Sequence, residues 1–160
     1  MRAECDAVLT GGNTVRLDNP SLTIRKPDRP VSPLKEQPWR IILTHDASSI
    51  PADSICLTDE FRDRTLVVEN VFNYLELLKK LYNNKKIGTI LLEAGGCLVR
   101  EFLKAGLVDE WVGFYAPIII GGGTDGVAPG PFLEHEAHLE QPVVNIFGDD
   151  VCIRGDICYR

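Results

Sequence analysis

The chain has 160 residues, enough for one domain with a real core. Its 17 basic and 23 acidic side chains leave a net charge of −6, in a composition that is 44% hydrophobic and 25% charged. That is a globular composition, and its acidic balance argues against bulk electrostatic binding to nucleic acid or to an anionic membrane.

No apolar run reaches the length of a membrane span, and the start MRAECDAVLT carries Glu4 and Asp6 in place of a signal-peptide core. The five cysteines, Cys5, Cys56, Cys97, Cys152 and Cys158, are odd in number and form no CxxC pair. They read as reduced thiols in a cytoplasmic protein.

Asp6 to Thr10 is a short buried strand by its apolar run. The cluster Gly11-Gly12-Asn13-Thr14 then opens a helix, and Asp18-Asn19-Pro20 closes it because proline disfavours a helical residue before it. Lys26 to Pro38, rich in proline and charge, is a surface loop. Trp39 to Thr44 and Arg64 to Val68 are strands. Asn70 is expected to cap a helix running to about Tyr82, with Val71, Tyr74, Leu75, Leu78, Leu81 and Tyr82 on one face. Asn83 to Lys86 is its exit turn. Ile87 to Leu92 is almost wholly apolar, the pattern of a central parallel strand covered on both faces. After the turn Glu93 to Gly96, Cys97 to Ala105 is a helix stopped by Gly106. Glu110 to Tyr115, Val143 to Phe147 and Val151 to Tyr159 are strands, the last interrupted at Gly155-Asp156. The pattern predicts an α/β fold, with a mainly parallel mixed sheet, antiparallel strands toward the C-terminus and flanking helices.

Four segments carry chemistry-bearing residues. In ILLEAGGCLVREFL a strand, a glycine turn and a helix follow one another. The first turn of such a helix presents N–H groups and the positive end of its dipole, and Gly95 and Gly96 let a phosphate approach the backbone. The pair alone is as well explained by a structural turn, and the fingerprint GxGxxG is absent. In LTGGNTVRLDNPSLTIR, with Arg2, three arginines (Arg2, Arg16 and Arg25) surround another glycine turn, where guanidinium groups can fork onto phosphate. Any one of them is by default a solvated side chain. The run Gly121 to Thr124 lacks the Lys-Ser or Lys-Thr of a P-loop. His135 and His138 lack HExxH spacing and a third ligand, so no metal is expected there; they read as exposed loop histidines. The chain offers ligand-binding groups more than an acid–base device, which suits a hydride-transfer enzyme whose cofactor carries the chemistry.

Three of these stretches, MRAECDAVLTGGNTVRLDNPSLTIR, ILLEAGGCLVREFLKAGLVDEWVGFYAPIIIGG and GDDVCIRGDICY, resemble in order the signatures of the riboflavin-pathway pyrimidine reductases. The resemblance runs over residues 1–160 as a single reductase domain. It implies a dihydrofolate-reductase-like fold, NADPH as cofactor and a homodimer. It implies reduction of the ribose of a ribosylaminopyrimidine 5′-phosphate to a ribityl chain. By the same resemblance Thr14, Asp18 and the turn Gly95, Gly96, Cys97, Leu98, Val99, Arg100, Glu101 contact NADPH. Arg2, Leu22, Arg25 and Glu93 line the substrate site, with both arginines near the phosphate and Glu93 orienting the reacting end of the sugar. Two departures stand out. Thr44-His45-Asp46 occupies the place of the family's aspartate-serine pair. The family's first strand, with its alanine-serine-leucine-aspartate-glycine motif, and the deaminase domain often fused upstream are expected to be absent. Two other readings remain: a related reductase of a pterin or dihydrofolate, and an inactive remnant that binds nucleotide or only dimerises.

Overall fold

The computed structural model describes residues 1–25, 36–119, 121, 126–130, 133 and 135–160. It contains two compact units, Met1–Leu98 and Val99–Arg160. Most of the expected loop 26–38 and of the glycine run 121–124 lies outside the described residues.

The first unit is built on a parallel sheet of order β3-β2-β1-β4. Its strands are β1 (Ala7–Gly11), β2 (Trp39–Thr44), β3 (Thr65–Glu69) and β4 (Ile90–Leu92). β1 is the central strand, and Ala7, Val8, Leu9 and Thr10 are all 0% exposed. Its register sets Ala7 opposite both Trp39 and Ile90, and Leu9 opposite Ile41 and Leu92. Helix α1 (Gly12–Asp18) leaves β1 directly and packs Val15 with Ile42, Ile50 and Cys56 in one apolar cluster. α1 ends at Asn19, whose left-handed backbone (φ 42°) donates its N–H to Val15 O. The short helix α2 (Ile55–Thr58) adds Cys56, whose thiol burial pushes to a higher pKa.

Three expectations for this unit are corrected. β4 lies at the edge of this sheet and covers only Ile90–Leu92, half-buried, and the two residues before it turn their N–H groups to Asp6. Asp6 Oδ2 accepts the N–H groups of Gly88 and Thr89, each at 2.9 Å. The cap of helix α3 (Tyr74–Lys85) is Asn73, which accepts Glu76 N–H at 3.1 Å. Asn70 is still committed to the sheet and donates its N–H to Thr44 O at 3.0 Å. The inward face of α3 is Tyr74, Leu77, Leu78 and Leu81 at helical spacing, while Leu75 and Tyr82 are exposed.

One buried charge organises this unit. Arg40 on β2 is 1% exposed and makes a fork onto Asp59, with Nη1 to Oδ2 at 2.7 Å and Nη2 to Oδ1 at 2.8 Å. Its Nε donates to Thr65 Oγ1 at 2.9 Å and its Nη1 also to Ser21 O at 3.0 Å. The guanidinium therefore joins β2 to β3, to the segment after α1 and to the exit of α2. The hydrogen bonds from Arg40 hold the Asp59 carboxyl below its usual pKa. A carboxyl depressed in the folded state contributes stability that is full above its unfolded value, about 3.9, and is lost as pH falls through the lower folded one. In Asp59→Asn this contribution is missing at neutral pH. The gap in melting temperature between parent and variant is expected to narrow as pH falls below about 4; a constant gap across that range would refute the linkage.

Thr10 carries an opposite lesson. It is fully buried, and its Oγ1 has no hydrogen-bond partner among the described residues. An unsatisfied buried hydroxyl costs about 1–3 kcal/mol. Thr10→Val keeps the shape and removes that cost, so melting is expected to rise by about 2–12 °C. An unchanged or lower melting temperature would show that the hydroxyl is satisfied.

The second unit contains an antiparallel sheet of order β5-β7-β6. Its strands are β5 (Glu110–Tyr115), β6 (Ala137–Phe147) and β7 (Asp150–Tyr159). Two corrections apply. β7 runs through Gly155-Asp156 without a break, and the irregularity is a bulge on β6 between Glu140 and Val143. Gly155 is needed there, because a Cβ on it would stand 3.1 Å from Glu140 O and 3.3 Å from Pro142 Cα. His138 lies on β6, not in a loop, with Nε2 3.0 Å from Glu136 Oε2. Helix α4 (Gly96–Lys104) begins in the first unit and continues into the second. It ends as expected at Gly106 (φ 64°), which donates to Leu103 O, while Leu107 donates to Phe102 O.

Candidate functional site

Parallel strands bring all their carboxyl ends to one edge, and open α/β sheets bind ligands there. Three turns of the first unit meet at this edge. The first runs from β1 into α1 through Gly11-Gly12. The second follows β2, where Asp46 Oδ1 accepts Ser48 N–H at 2.9 Å and Ser48 Oγ at 2.6 Å. The third follows β4, from Glu93 to Gly96. Glu93 N–H continues the ladder to Leu9 O at 3.0 Å, which places the third turn beside the first.

The two glycine turns differ physically. Gly12 is buried, and a Cβ on it would come within 2.9 Å of Ile50 Cδ1 and 3.0 Å of Thr44 Cβ. It is small because α1 must sit against the turn after β2. A Cβ on Gly95 would meet nothing within 4 Å. Packing does not demand glycine at 95, so the space above it is available to a ligand. Next to it, the first turn of α4 supplies helical N–H groups.

Glu93 is the best-defined side chain at this edge. Arg2 Nε donates to its Oε1 at 2.8 Å and Arg2 Nη2 to its Oε2 at 2.6 Å. Arg2 Nη1 donates to Thr23 O at 2.8 Å. Hydrogen bonding to Glu93 raises the Arg2 pKa, against a smaller opposing effect of burial. Arg2 has five donors, and these bonds use three of them. Thr23 is in turn fixed by its neighbours. Leu22, 2% exposed, adopts a left-handed backbone (φ 54°), and Ser21 Oγ lies 3.0 Å from Thr23 Oγ1. Burial of Leu22 holds a conformation that costs about 1–2 kcal/mol for a residue with a Cβ.

The structure thus brings Arg2, Leu22 and Glu93 together through the Ser21–Thr23 segment. Arg25 lies two residues further on and is exposed. Thr14 is half-buried on α1, and Asp18 is exposed at its far end. Gly95, just before α4, is exposed; on α4 Cys97 is exposed, Gly96 and Leu98 are half-buried, and Leu98 approaches the first turn, 3.9 Å from a Cβ on Gly11. Further along, Val99 is buried, Arg100 is half-buried beside Gly130, and Glu101 is exposed. The serine turn after β2 was not anticipated. Arg16 Nη1 donates to Ser49 Oγ at 2.7 Å, and the hydrogen bonds from Ser48 depress the Asp46 carboxyl. Thr44-His45-Asp46 hid it, since the serines lie two and three residues beyond the aspartate.

The profile of the RibD C-terminal domain matches residues 1–153. The chain belongs to this family. The riboflavin biosynthesis protein RibD of Mycobacterium tuberculosis is 34% identical over 126 residues, covering 79% of this chain and 34% of that protein. An Aquifex aeolicus protein, a 2,5-diamino-6-ribosylamino-4(3H)-pyrimidinone 5′-phosphate reductase, is 32% identical over 141 residues, covering 76% of this chain and 61% of that one. The solved structure of Acinetobacter baumannii RibD superposes with a TM-score of 0.81 at 25% identity, over 98% of this chain and 48% of the other. This RibD C-terminal domain chain thus spans between a third and a half of those RibD proteins and shares the dihydrofolate-reductase-like fold of their reductase part.

Proposed function

We propose that this chain reduces the ribosyl group of a ribosylaminopyrimidine 5′-phosphate to a ribityl chain with NADPH, in riboflavin biosynthesis in the cytoplasm. The observation that carries the reading is the Arg2–Glu93 pair beside the unfilled space at Gly95, in a chain of this family. NADPH supplies the hydride. Thr14, Asp18 and residues Gly95 to Glu101 hold it, with the Gly95 turn and the start of α4 receiving phosphate. Arg2, Leu22, Arg25 and Glu93 hold the substrate. Arg2 aims the Glu93 carboxylate and keeps two N–H donors for the substrate's anionic end. Glu93 accepts a hydrogen bond from the opened sugar and orients the carbon that receives hydride. A second copy of the chain is the expected partner, and the exposed Phe114, Tyr115, Val144 and Ile146 of the antiparallel sheet fit that expectation.

The test is loss of NADPH absorbance on adding the ribosylaminopyrimidine phosphate. Glu93→Gln is expected to lower kcat about tenfold, the cost of one weakened charge-assisted hydrogen bond in the transition state, with NADPH affinity unchanged. Substrate-independent oxidation, or full activity in Glu93→Gln, would remove the assignment. Among the described residues the outer edge of β4 pairs with no strand, which favours one second reading, an inactive member of the fold, and complete absence of turnover with NADPH still bound would select it.

A further inference from the structure

The amino ends of the same strands form a second, unrelated cleft of about 280 Å3. Cys5 and Asp6 before β1, Trp39 at the start of β2, Arg64 before β3, and Lys85 and Lys86 at the end of α3 line it. In a chain of net charge −6, three cations converge here. Their partners are mostly not carboxylates. Lys85 Nζ stands 4.5 Å from the Trp39 ring centroid, Arg64 Cζ 5.0 Å from the same centroid, and Lys86 Nζ 5.8 Å from that of Tyr82. Among the described residues neither lysine forms an ion pair. Arg64 Nη1 meets Glu36, which also lines the cleft, at 2.5 Å, and that carboxylate is 76% exposed; Arg64 Nε is buried with no hydrogen-bond partner among the described residues. The Asp6 carboxylate is turned to the backbone N–H groups of Gly88 and Thr89.

We infer that this cleft binds a small phosphate monoester, at a site separate from Arg2, Arg25 and Glu93. Two ammonium groups without an ion pair among the described residues, beside a guanidinium held over the same ring as one of them, leave positive charge in the cleft that an oxyanion can neutralise. Ammonium groups act as point charges and the guanidinium as a fork, a combination suited to phosphate. The Trp39 ring already has two cations over it, which favours a compact anion over a stacked aromatic ligand. The volume falls just below the roughly 300–1,000 Å3 of drug-sized ligand sites, so the occupant is a small metabolite. The acceptor end of the α3 dipole opposes an anion here, and the three cations outweigh it at this range.

The probes are inorganic phosphate and ribose 5-phosphate, titrated into the full chain by calorimetry. Trp39 fluorescence in Trp111→Phe reports on the cleft itself. Saturable binding with a change in Trp39 emission is expected for ribose 5-phosphate, and more weakly for inorganic phosphate. The double variant Lys85→Gln, Lys86→Gln is expected to lose affinity about tenfold or more with unchanged melting, while Arg25→Gln keeps it. The inference fails if neither probe binds in the millimolar range, if chloride at equal ionic strength gives the same response, or if the double variant binds as the parent does. It fails equally if Arg25→Gln abolishes the response, since the anion would then occupy the proposed substrate site.

Discussion

Gly95→Val is expected to abolish NADPH binding while leaving the fold and its melting temperature unchanged. Both halves of this expectation follow from the open space at Gly95. A Cβ at Gly95 meets nothing within 4 Å, so the added side chain disturbs no packing. It projects instead into the space beside the first turn of α4, where a phosphate must come close to the backbone to reach the N–H groups. Two lost charge-assisted hydrogen bonds correspond to a fall in affinity of about a hundredfold or more. Gly12→Val is the instructive contrast. There the new side chain collides with Ile50 and Thr44, and melting itself is expected to fall. Calorimetry with NADPH on both variants separates ligand exclusion from misfolding. Undiminished NADPH affinity in Gly95→Val would show that the cofactor lies elsewhere.

Extending residues 1–160 at the amino end with the family's alanine-serine-leucine-aspartate-glycine strand is expected to raise turnover roughly a hundredfold. β4 is apolar, yet among the described residues it pairs only with β1, so its outer edge carries unpaired N–H and C=O groups. Natural sheets seldom leave such an edge bare. A strand added there would fix β4 along its length and with it Glu93, which follows its last residue. Misplacing reacting groups by about 1 Å can cost on the order of a hundredfold in rate. The comparison requires both versions assayed for ribotide reduction at equal concentration of folded protein. Equal and substantial turnover would show that Arg2 and the β1 ladder position Glu93 well enough without the extra strand.

The residues most clearly legible in the sequence are those whose environment repeats along the chain. Trp39–Thr44 and Glu110–Tyr115 are strands with the expected ends, and Gly106 stops α4, because alternation, apolar runs and a left-handed glycine are local signals. The family was legible for a related reason, since its motifs are contiguous stretches. Asn70 and Asn73 illustrate the limit. Both residues can cap a helix, and only pairing of Asn70 N–H with Thr44 O decides that the helix begins at the later one.

Sequence alone therefore determined the class of fold and the family. Only the tertiary structure decided which distant residues meet. An apolar run reads the same whether its strand is central or at an edge, and only the observed pairing, with β1 alone among the described residues, puts β4 at the edge of its sheet. Glu93 and Arg2 are separated by 91 positions, and Arg40 and Asp59 by 19. No periodicity links such residues. They meet because parallel register and the pinned Ser21–Thr23 segment bring them within hydrogen-bond reach. Likewise Gly12 and Gly95 look alike in sequence, and only the atoms around each show that one is small for packing and the other faces open space.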